Sequence, residues 1–108
     1  MKNKFVIIET TYPDLKTAKD LAKILLNKKL TTCVQFMPIE STYIWQKKIK
    51  NNHEILVSIK SKNSLYKKIE KAIKEHHIYE VPQIFSIQID QGSTPYFKWI
   101  DSNIKSQK

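Results

Sequence analysis

The sequence is poor in glycine, arginine and cysteine, and each shortage excludes a class of protein. The single glycine, Gly92, is incompatible with a glycine-rich phosphate-binding loop or a flexible linker. All 19 basic residues are Lys, whereas bidentate recognition of phosphates and bases depends on the planar guanidinium of Arg. The one cysteine, Cys33, has no partner for an intramolecular disulfide, so we expect a reducing, cytoplasmic location.

Long hydrophobic runs are also missing. The apolar run near the N-terminus is limited to Phe5, Val6, Ile7 and Ile8, which is too short for a signal sequence or a membrane span. We therefore expect a soluble protein without a membrane partner. The length of 108 residues and the hydrophobic content of 41% predict a single globular domain over residues 1–108.

The net charge of +9 at pH 7 raises the question of a nucleic-acid partner. Lys, Ile and Asn are abundant throughout, and a codon bias of the genome explains this as well as selection for binding does. We expect a solvated basic surface in place of nucleic-acid recognition. Weak, salt-sensitive binding to nucleic acid stays open as an alternative.

Apolar periodicity and turn residues divide the chain into strands and helices. The predicted order begins with a strand over 4–10, a helix capped by Asp14 to about residue 29, and strands over 32–45 and 53–60. A helix from the Asn63-Ser64 cap to residue 76, a strand over 84–89, and a last helix with Thr94 as N-cap and Pro95 at the first helical position follow. This order predicts an α+β fold of the ferredoxin-like β-α-β-β-α-β kind, with both main helices on one face of an antiparallel sheet, an extended central hairpin and a C-terminal helix.

The central hairpin dominates the predicted sheet. A charged turn over residues 46–52 is expected to join its arms, and Pro38 is expected to cause a bulge or break in the first arm. A long two-stranded ribbon is marginally stable alone, so it should lie against another copy of the chain. Tyr43, Ile44 and Trp45 are the candidate oligomer-interface residues, and we interpret both rings as packing residues in preference to a ligand-stacking pair.

Few residues are candidates for catalysis or metal binding. No Ser-His-Asp spacing and no Cys-x-x-Cys motif occur, so the sequence predicts no enzyme and no catalytic residue. The adjacent imidazoles of His76 and His77, with Glu80 nearby, are candidate ligands of a divalent metal such as Cu(II). A structural alternative is that His76 completes a helix face, while Cys33 is a small buried hydrophobe.

Several separated motifs occur together in this chain. They are Thr32-Cys33-Val34, Ser41-Thr42-Tyr43-Ile44-Trp45, Lys48-Ile49, Glu54, His77-Ile78-Tyr79-Glu80-Val81-Pro82 and Tyr96-Phe97-Lys98-Trp99. In this order they closely resemble the CutA divalent-cation tolerance family, and the resemblance covers about residues 5–104. It implies a tight homotrimer of ferredoxin-like subunits, similar in architecture to PII-like signalling proteins, and a role in tolerance to copper and other divalent metals.

The chain departs from the pattern of this family at positions that bear on metal binding. Thr10 stands at the end of the first strand, where some metal-binding members carry a Cys, and Gln83 replaces a Glu. A hydroxyl is a much poorer copper ligand than a thiolate. We therefore expect a site of His76, His77 and Glu80 that binds Cu(II) only weakly. The alternative function is a PII-like trimer that binds a small ligand, such as an anion, in its subunit clefts without a metal role.

Overall fold

A computed structural model of the protein describes residues 4–104, which form one antiparallel sheet and three α-helices. The elements are β1 (Phe5–Tyr12), α1 (Leu15–Asn27), β2 (Cys33–Trp45), β3 (Lys48–Lys62), α2 (Tyr66–His76), β4 (Ile84–Gln88) and α3 (Thr94–Ser102). The strand order is β2-β3-β1-β4, with every neighbouring pair antiparallel. The predicted ferredoxin-like fold with an extended hairpin and a C-terminal helix is confirmed.

Strand register explains where the core lies, because residues directly opposite each other on paired strands share a face of the sheet. Ile8 is paired with Ile59, and Thr10 with Val57, on the face that is buried. Apolar side chains of α1 and α2 pack in the same core. Its fully buried members include Val6, Ile8, Tyr12, Leu21, Leu25, Val57, Ile59, Ile69 and Ile73.

The opposite face of the sheet, which we call the open face, is only partly covered. α3 lies against one end of it, since Phe97 stacks on Phe5 with ring centroids 4.4 Å apart and Asp101 pairs with Lys62. Elsewhere this face carries exposed apolar side chains, namely Met37, Phe85 and Ile87. None of the helices in the described part of the chain is long and apolar enough to cross a membrane.

The hairpin differs from its prediction in two ways. The turn is confined to Gln46 and Lys47, not residues 46–52, because both adopt positive φ and let Trp45 pair with Lys48. A two-residue turn of this kind matches the twist of the strands, so pairing starts at once. The predicted bulge at Pro38 is also wrong. The register is unbroken from Cys33 to Trp45, because β2 is an edge strand, which tolerates a residue without an N–H.

Helix starts agree with the sequence in one case and differ in two. Asp14 caps α1 as predicted, with its carboxylate accepting from the Thr17 N–H at 2.8 Å. The cap of α3 is Ser93 and not Thr94, since Thr94 is already the first helical residue and Pro95 is the second, not the first as predicted. A short 3-10 turn, Asn63–Leu65, precedes α2, so the predicted Asn63-Ser64 cap does not form. β1 continues past residue 10 to Tyr12, which brings Thr11 and Tyr12 into the sheet.

Candidate functional site

The end of β1 meets the end of α2, and a cluster of aromatic and imidazole rings forms there. Tyr12 is fully buried, and its hydroxyl lies 2.9 Å from Nδ1 of His76, the last residue of α2. Burial raises the pKa of Tyr12 well above its ordinary value, so the hydroxyl keeps its proton. The ring of Tyr12 also stacks on His77, with centroids 4.1 Å apart. The two histidines are thus held by the same tyrosine.

Both ring nitrogens of His77 are engaged within the chain. Nε2 lies 2.6 Å from the backbone carbonyl of Thr11, and since a carbonyl only accepts, Nε2 carries the proton. Nδ1 then accepts the N–H of Tyr79 at 3.1 Å. Burial lowers the pKa of His77, which favours the neutral ring that these two bonds require. His77 therefore fastens the loop after α2 to the end of β1.

A second bond fastens the same loop to the neighbouring strand. The Tyr79 hydroxyl donates to Oε2 of Glu54 on β3 at 3.0 Å. Only 8% of Glu54 is exposed, although it is an ionisable residue. Burial together with the Glu54 carboxylate raises the pKa of Tyr79 to about 12. The tyrosine consequently remains a hydrogen-bond donor at all physiological pH values.

A cavity of about 680 Å³ opens beside this loop, between it and the hairpin. That volume is within the range of small-molecule sites, which is roughly 300–1,000 Å³. The wall contains three aromatic rings, two carboxylates and hydroxyl groups. Its principal members are Thr11, Tyr43, Trp45, Glu54, Tyr79 and Glu80.

Of the predicted metal ligands, His76 and His77 both contact Tyr12, whereas Glu80 lies in the wall of the cavity, which neither histidine lines. His76 uses Nδ1 with Tyr12, His77 uses both nitrogens, and Glu80 is exposed in the cavity wall. Within residues 4–104, no three His, Cys, Asp or Glu side chains form a group that could hold a metal ion. In this arrangement, the three predicted ligands therefore do not form a site that would hold a metal ion tightly. Binding through these residues stays a prediction.

The predicted interface residues are all exposed in the single subunit. Tyr43, Ile44 and Trp45 expose 39%, 74% and 38% of their surfaces, and the Tyr43 hydroxyl accepts from the Asn52 amide. Their burial in an oligomer stays a prediction. Tyr43 and Trp45 also line the cavity, a location that the sequence analysis did not predict.

The sequence analysis assigned no site role to Thr11, Tyr12, Glu54 or Tyr79, although Glu54 and Tyr79 belong to the motifs that carry the family resemblance. The sequence did carry one indication that Glu54 has a special role, because this acidic residue comes directly before the apolar residues of β3. The contacts of Tyr12 had no local signal, because its partners lie on α2 and in the loop that follows.

Comparisons with known proteins point to the same family over most of the chain. The family model described as "CutA1 divalent ion tolerance protein" matches residues 6–103. The chain is 35% identical over 91 residues to Protein CutA of Mus musculus, covering 83% of this chain and 51% of that relative. It is 32% identical over 100 residues to the divalent-cation tolerance protein CutA of Pyrococcus horikoshii, covering 93% and 98%. The chain thus spans about half the length of the mouse relative and nearly all of the archaeal one.

Solved structures agree in fold. The periplasmic divalent cation tolerance protein CutA from Archaeoglobus fulgidus superposes with a TM-score of 0.92 at 33% identity, over 94% of this chain and 99% of that one. CutA1 from the psychrotrophic bacterium Shewanella sp. SIB1, titled a stable protein, gives a TM-score of 0.94 at 36% identity, over 98% and 100%.

Proposed function

Because the chain belongs to the CutA1 divalent ion tolerance protein family, we propose that it acts in tolerance to divalent metal ions, copper in particular, as a homotrimer without enzymatic activity. The observation that supports a metal role is the pair of imidazoles, His76 and His77, held side by side at the end of β1. Neutral imidazole is a competent ligand of Cu(II).

The same geometry supports weak binding. A metal ion that used His77 would have to displace the hydrogen bond to Thr11 or the one from Tyr79. Leaving such a group unpaired costs about 1–3 kcal/mol, which is subtracted from the affinity. Thr10 supplies no thiolate at the end of β1. We expect a dissociation constant for Cu(II) that is micromolar or weaker, and binding that weakens in acid because a protonated imidazole cannot ligate a metal ion.

Calorimetric titration with Cu(II) tests this site. The double variant His76→Ala, His77→Ala should lose binding and keep the oligomeric mass of the parent protein. The third histidine, His53, is exposed and lies on β3, so His53→Ala is the matched control and should bind as the parent does. Nanomolar affinity, or unchanged binding in the double variant, would contradict the proposal.

The trimeric state rests on the open face and the hairpin. A single subunit leaves apolar side chains of β2 and β4 exposed, and the strands of its hairpin have 13 and 15 residues, far longer than the common strand of about 5–6. Each subunit should bury more than roughly 800 Å² against its neighbours. Light scattering should give three times the chain mass of 12.8 kDa, and a mass near 12.8 kDa at micromolar concentration would refute a trimer.

We propose a cytoplasmic location, since a lone half-buried cysteine is typical of a reducing compartment. The relative from Archaeoglobus fulgidus is titled periplasmic, so the two locations need a direct comparison. Fractionation of cells that produce the protein should recover it with cytoplasmic markers.

A second candidate function is that of a PII-like trimer that binds a small molecule without a metal role. The cavity beside Glu54 favours it, because its volume and mixed aromatic and polar wall are those of a ligand site. Thermal-shift measurements with a panel of small metabolites and a panel of divalent metals separate the two functions. Stabilisation by metabolites alone would support the second.

A further inference from the structure

The cavity wall is acidic in a strongly basic protein. The net charge is +9 and the chain has 19 lysines, yet none of the lysines within residues 4–104 lines this cavity, whereas Glu54 and Glu80 both do. A second cleft, next to the C-terminal end of α1, shows the opposite composition, with Lys28, Lys68 and Lys71 in its wall. The cavity beside Glu54 is therefore suited to a cation and unsuited to an anion.

Glu54 carries this charge in an unusual setting. More than nine-tenths of the residue is buried, and the Tyr79 hydroxyl is the hydrogen-bond donor that reaches its carboxylate. A carboxylate can accept about four hydrogen bonds, so acceptor capacity remains. The ion pairs within residues 4–104 join Lys4 and Lys62 to Asp101, Lys16 to Asp20, and Lys74 to Glu70, and none includes Glu54. A buried carboxylate without a cationic partner is costly, and a bound cation would offset that cost.

Aromatic rings indicate that the cation is organic. Tyr43, Trp45 and Tyr79 all line the cavity, and the faces of such rings attract cations and pack against apolar groups. A bare metal ion would instead need several ligating side chains around one point, and no group of three was found within the described residues. A volume of about 680 Å³ also accommodates an organic molecule and not merely an ion.

We propose that this cavity binds a protonated organic amine, whose ammonium group donates to the Glu54 carboxylate while its body lies against the rings of Tyr43 and Trp45. Glu80 adds a second negative charge to the same wall. An amine is favoured over a quaternary ammonium ion, since only an N–H can use the free acceptor positions of Glu54. This inference rests on the small-ligand function proposed above and gives it a ligand class, and it assigns Tyr43 and Trp45 to the ligand in place of the subunit interface predicted from the sequence.

A comparison of ligands tests the proposal without any variant. The whole protein, in its natural assembly, is titrated calorimetrically with 2-phenylethylammonium chloride, with neutral 2-phenylethanol and with the anion phenylacetate, each against an equal concentration of NaCl. The amine should bind at least about tenfold more tightly than the alcohol, because a charge-assisted hydrogen bond to a buried carboxylate is worth at least that factor. Phenylacetate should not bind.

A pair of variants assigns the effect to Glu54. Glu54→Gln keeps the size of the side chain and an acceptor for Tyr79 but removes the charge, so it should weaken binding of the amine at least about tenfold. Glu70→Gln removes the same charge from α2, outside the cavity, and should leave the affinity unchanged. Circular dichroism and light scattering establish that both variants keep the fold and the mass.

Three results would overturn the inference. The first is no binding of the amine up to about 10 mM, which includes the case of a neighbouring copy filling the cavity. The second is equal binding of amine and alcohol, or binding of phenylacetate in place of the amine; the small-ligand function would then stand while the amine assignment fails. The third is an equal loss of affinity in the two Glu→Gln variants, which would point to the overall charge of the protein.

Discussion

At the scale of single residues, Thr10 is the least satisfied polar side chain of the buried core. It is fully buried, and its hydroxyl has no hydrogen-bond partner among the residues that the structure describes. A buried hydroxyl without a partner costs free energy that an apolar group of the same shape does not. Thr10 therefore contributes little polar interaction to this fold.

The variant Thr10→Val should raise the free energy of unfolding by roughly 1 kcal/mol, because a methyl group replaces the unpaired hydroxyl. Thr31→Val is the matched control. Thr31 is equally buried, but its hydroxyl donates to the Lys60 carbonyl at 2.5 Å, so its loss should cost about 1–3 kcal/mol. Urea unfolding of both variants at one protein concentration measures the difference. Destabilisation by Thr10→Val would show that its hydroxyl is paired.

Asp14 is the residue whose stabilising effect should depend most clearly on pH. Hydrogen bonds from the Thr17 side chain, and then from its N–H, lower the pKa of Asp14 below the ordinary value of 3.8. A carboxyl group whose pKa is lower in the folded state stabilises the fold above its unfolded pKa. That contribution is lost as pH falls through the folded pKa. The cap is therefore at full strength at neutral pH and disappears in acid.

The variant Asp14→Ala should lower the melting temperature at pH 7, because α1 loses its N-cap. The gap to the parent protein should close as pH is lowered below about 4, where the parent's own carboxylate becomes protonated. Asp20→Ala, which removes an exposed ion pair with Lys16, is the control and should shift the melting temperature little. A gap that stays constant down to pH 2.5 would mean that the cap does not act through its charge.

At the scale of elements, the turn of the hairpin is its strained point. Gln46 and Lys47 have φ values of 51° and 66°, in the left-handed region. A residue with a side chain pays about 1–2 kcal/mol there, whereas Asn and Gly adopt this conformation readily. The hairpin forms despite its turn, because the long pairing of β2 with β3 outweighs the strain.

The double variant Gln46→Asn, Lys47→Gly should therefore stabilise the protein by roughly 1 kcal/mol. Lys48→Gly, one position further into regular β3, should instead destabilise it by about 0.5–1 kcal/mol, since glycine weakens a strand. Thermal and urea unfolding at a fixed concentration measure both. Equal effects of the two changes would show that the turn is not strained in solution.

At the scale of the whole molecule, the open face is the surface that a single subunit does not cover. Met37, Phe85 and Ile87 expose 59%, 41% and 47% of their surfaces. Phe85 and Ile87 alternate on β4 and so point from the same face of the sheet. Exposed large apolar side chains on one face of a sheet are typical of an interface between proteins.

Charged residues at these positions should dissociate the assembly. The double variant Phe85→Lys, Ile87→Lys should reduce the mass measured by light scattering from that of the proposed trimer toward that of the single chain, because burial would leave two ammonium groups unpaired. Leu26→Lys changes an exposed apolar residue of α1 in the same way and should leave the mass unchanged. A double variant that keeps the mass of the parent would exclude β4 from the interface.

The sequence by itself determined the order of the elements, since alternation and helical periodicity are local properties that follow from which side chains can be buried. The Asp14 cap was likewise set by residues within one turn of it. Helix-start details and the hairpin turn were less well predicted, because propensities near Thr94 and over residues 46–52 allow several boundaries. Pairing along the whole of β2 and β3 then selected the two-residue turn at Gln46 and Lys47, and the Ser93 cap selected the start of α3.

Only the tertiary structure decided the site. The contact of Tyr12 with His76 joins residues 64 positions apart, and that of His77 with Thr11 joins residues 66 positions apart. Glu54 and Tyr79 meet across 25 positions. Such contacts depend on how β1, β3 and α2 are placed, and no local pattern encodes them. The sequence therefore predicted a metal site at the two imidazoles. The fold instead uses both ring nitrogens of His77 in hydrogen bonds within the chain and places a buried carboxylate beside three aromatic rings.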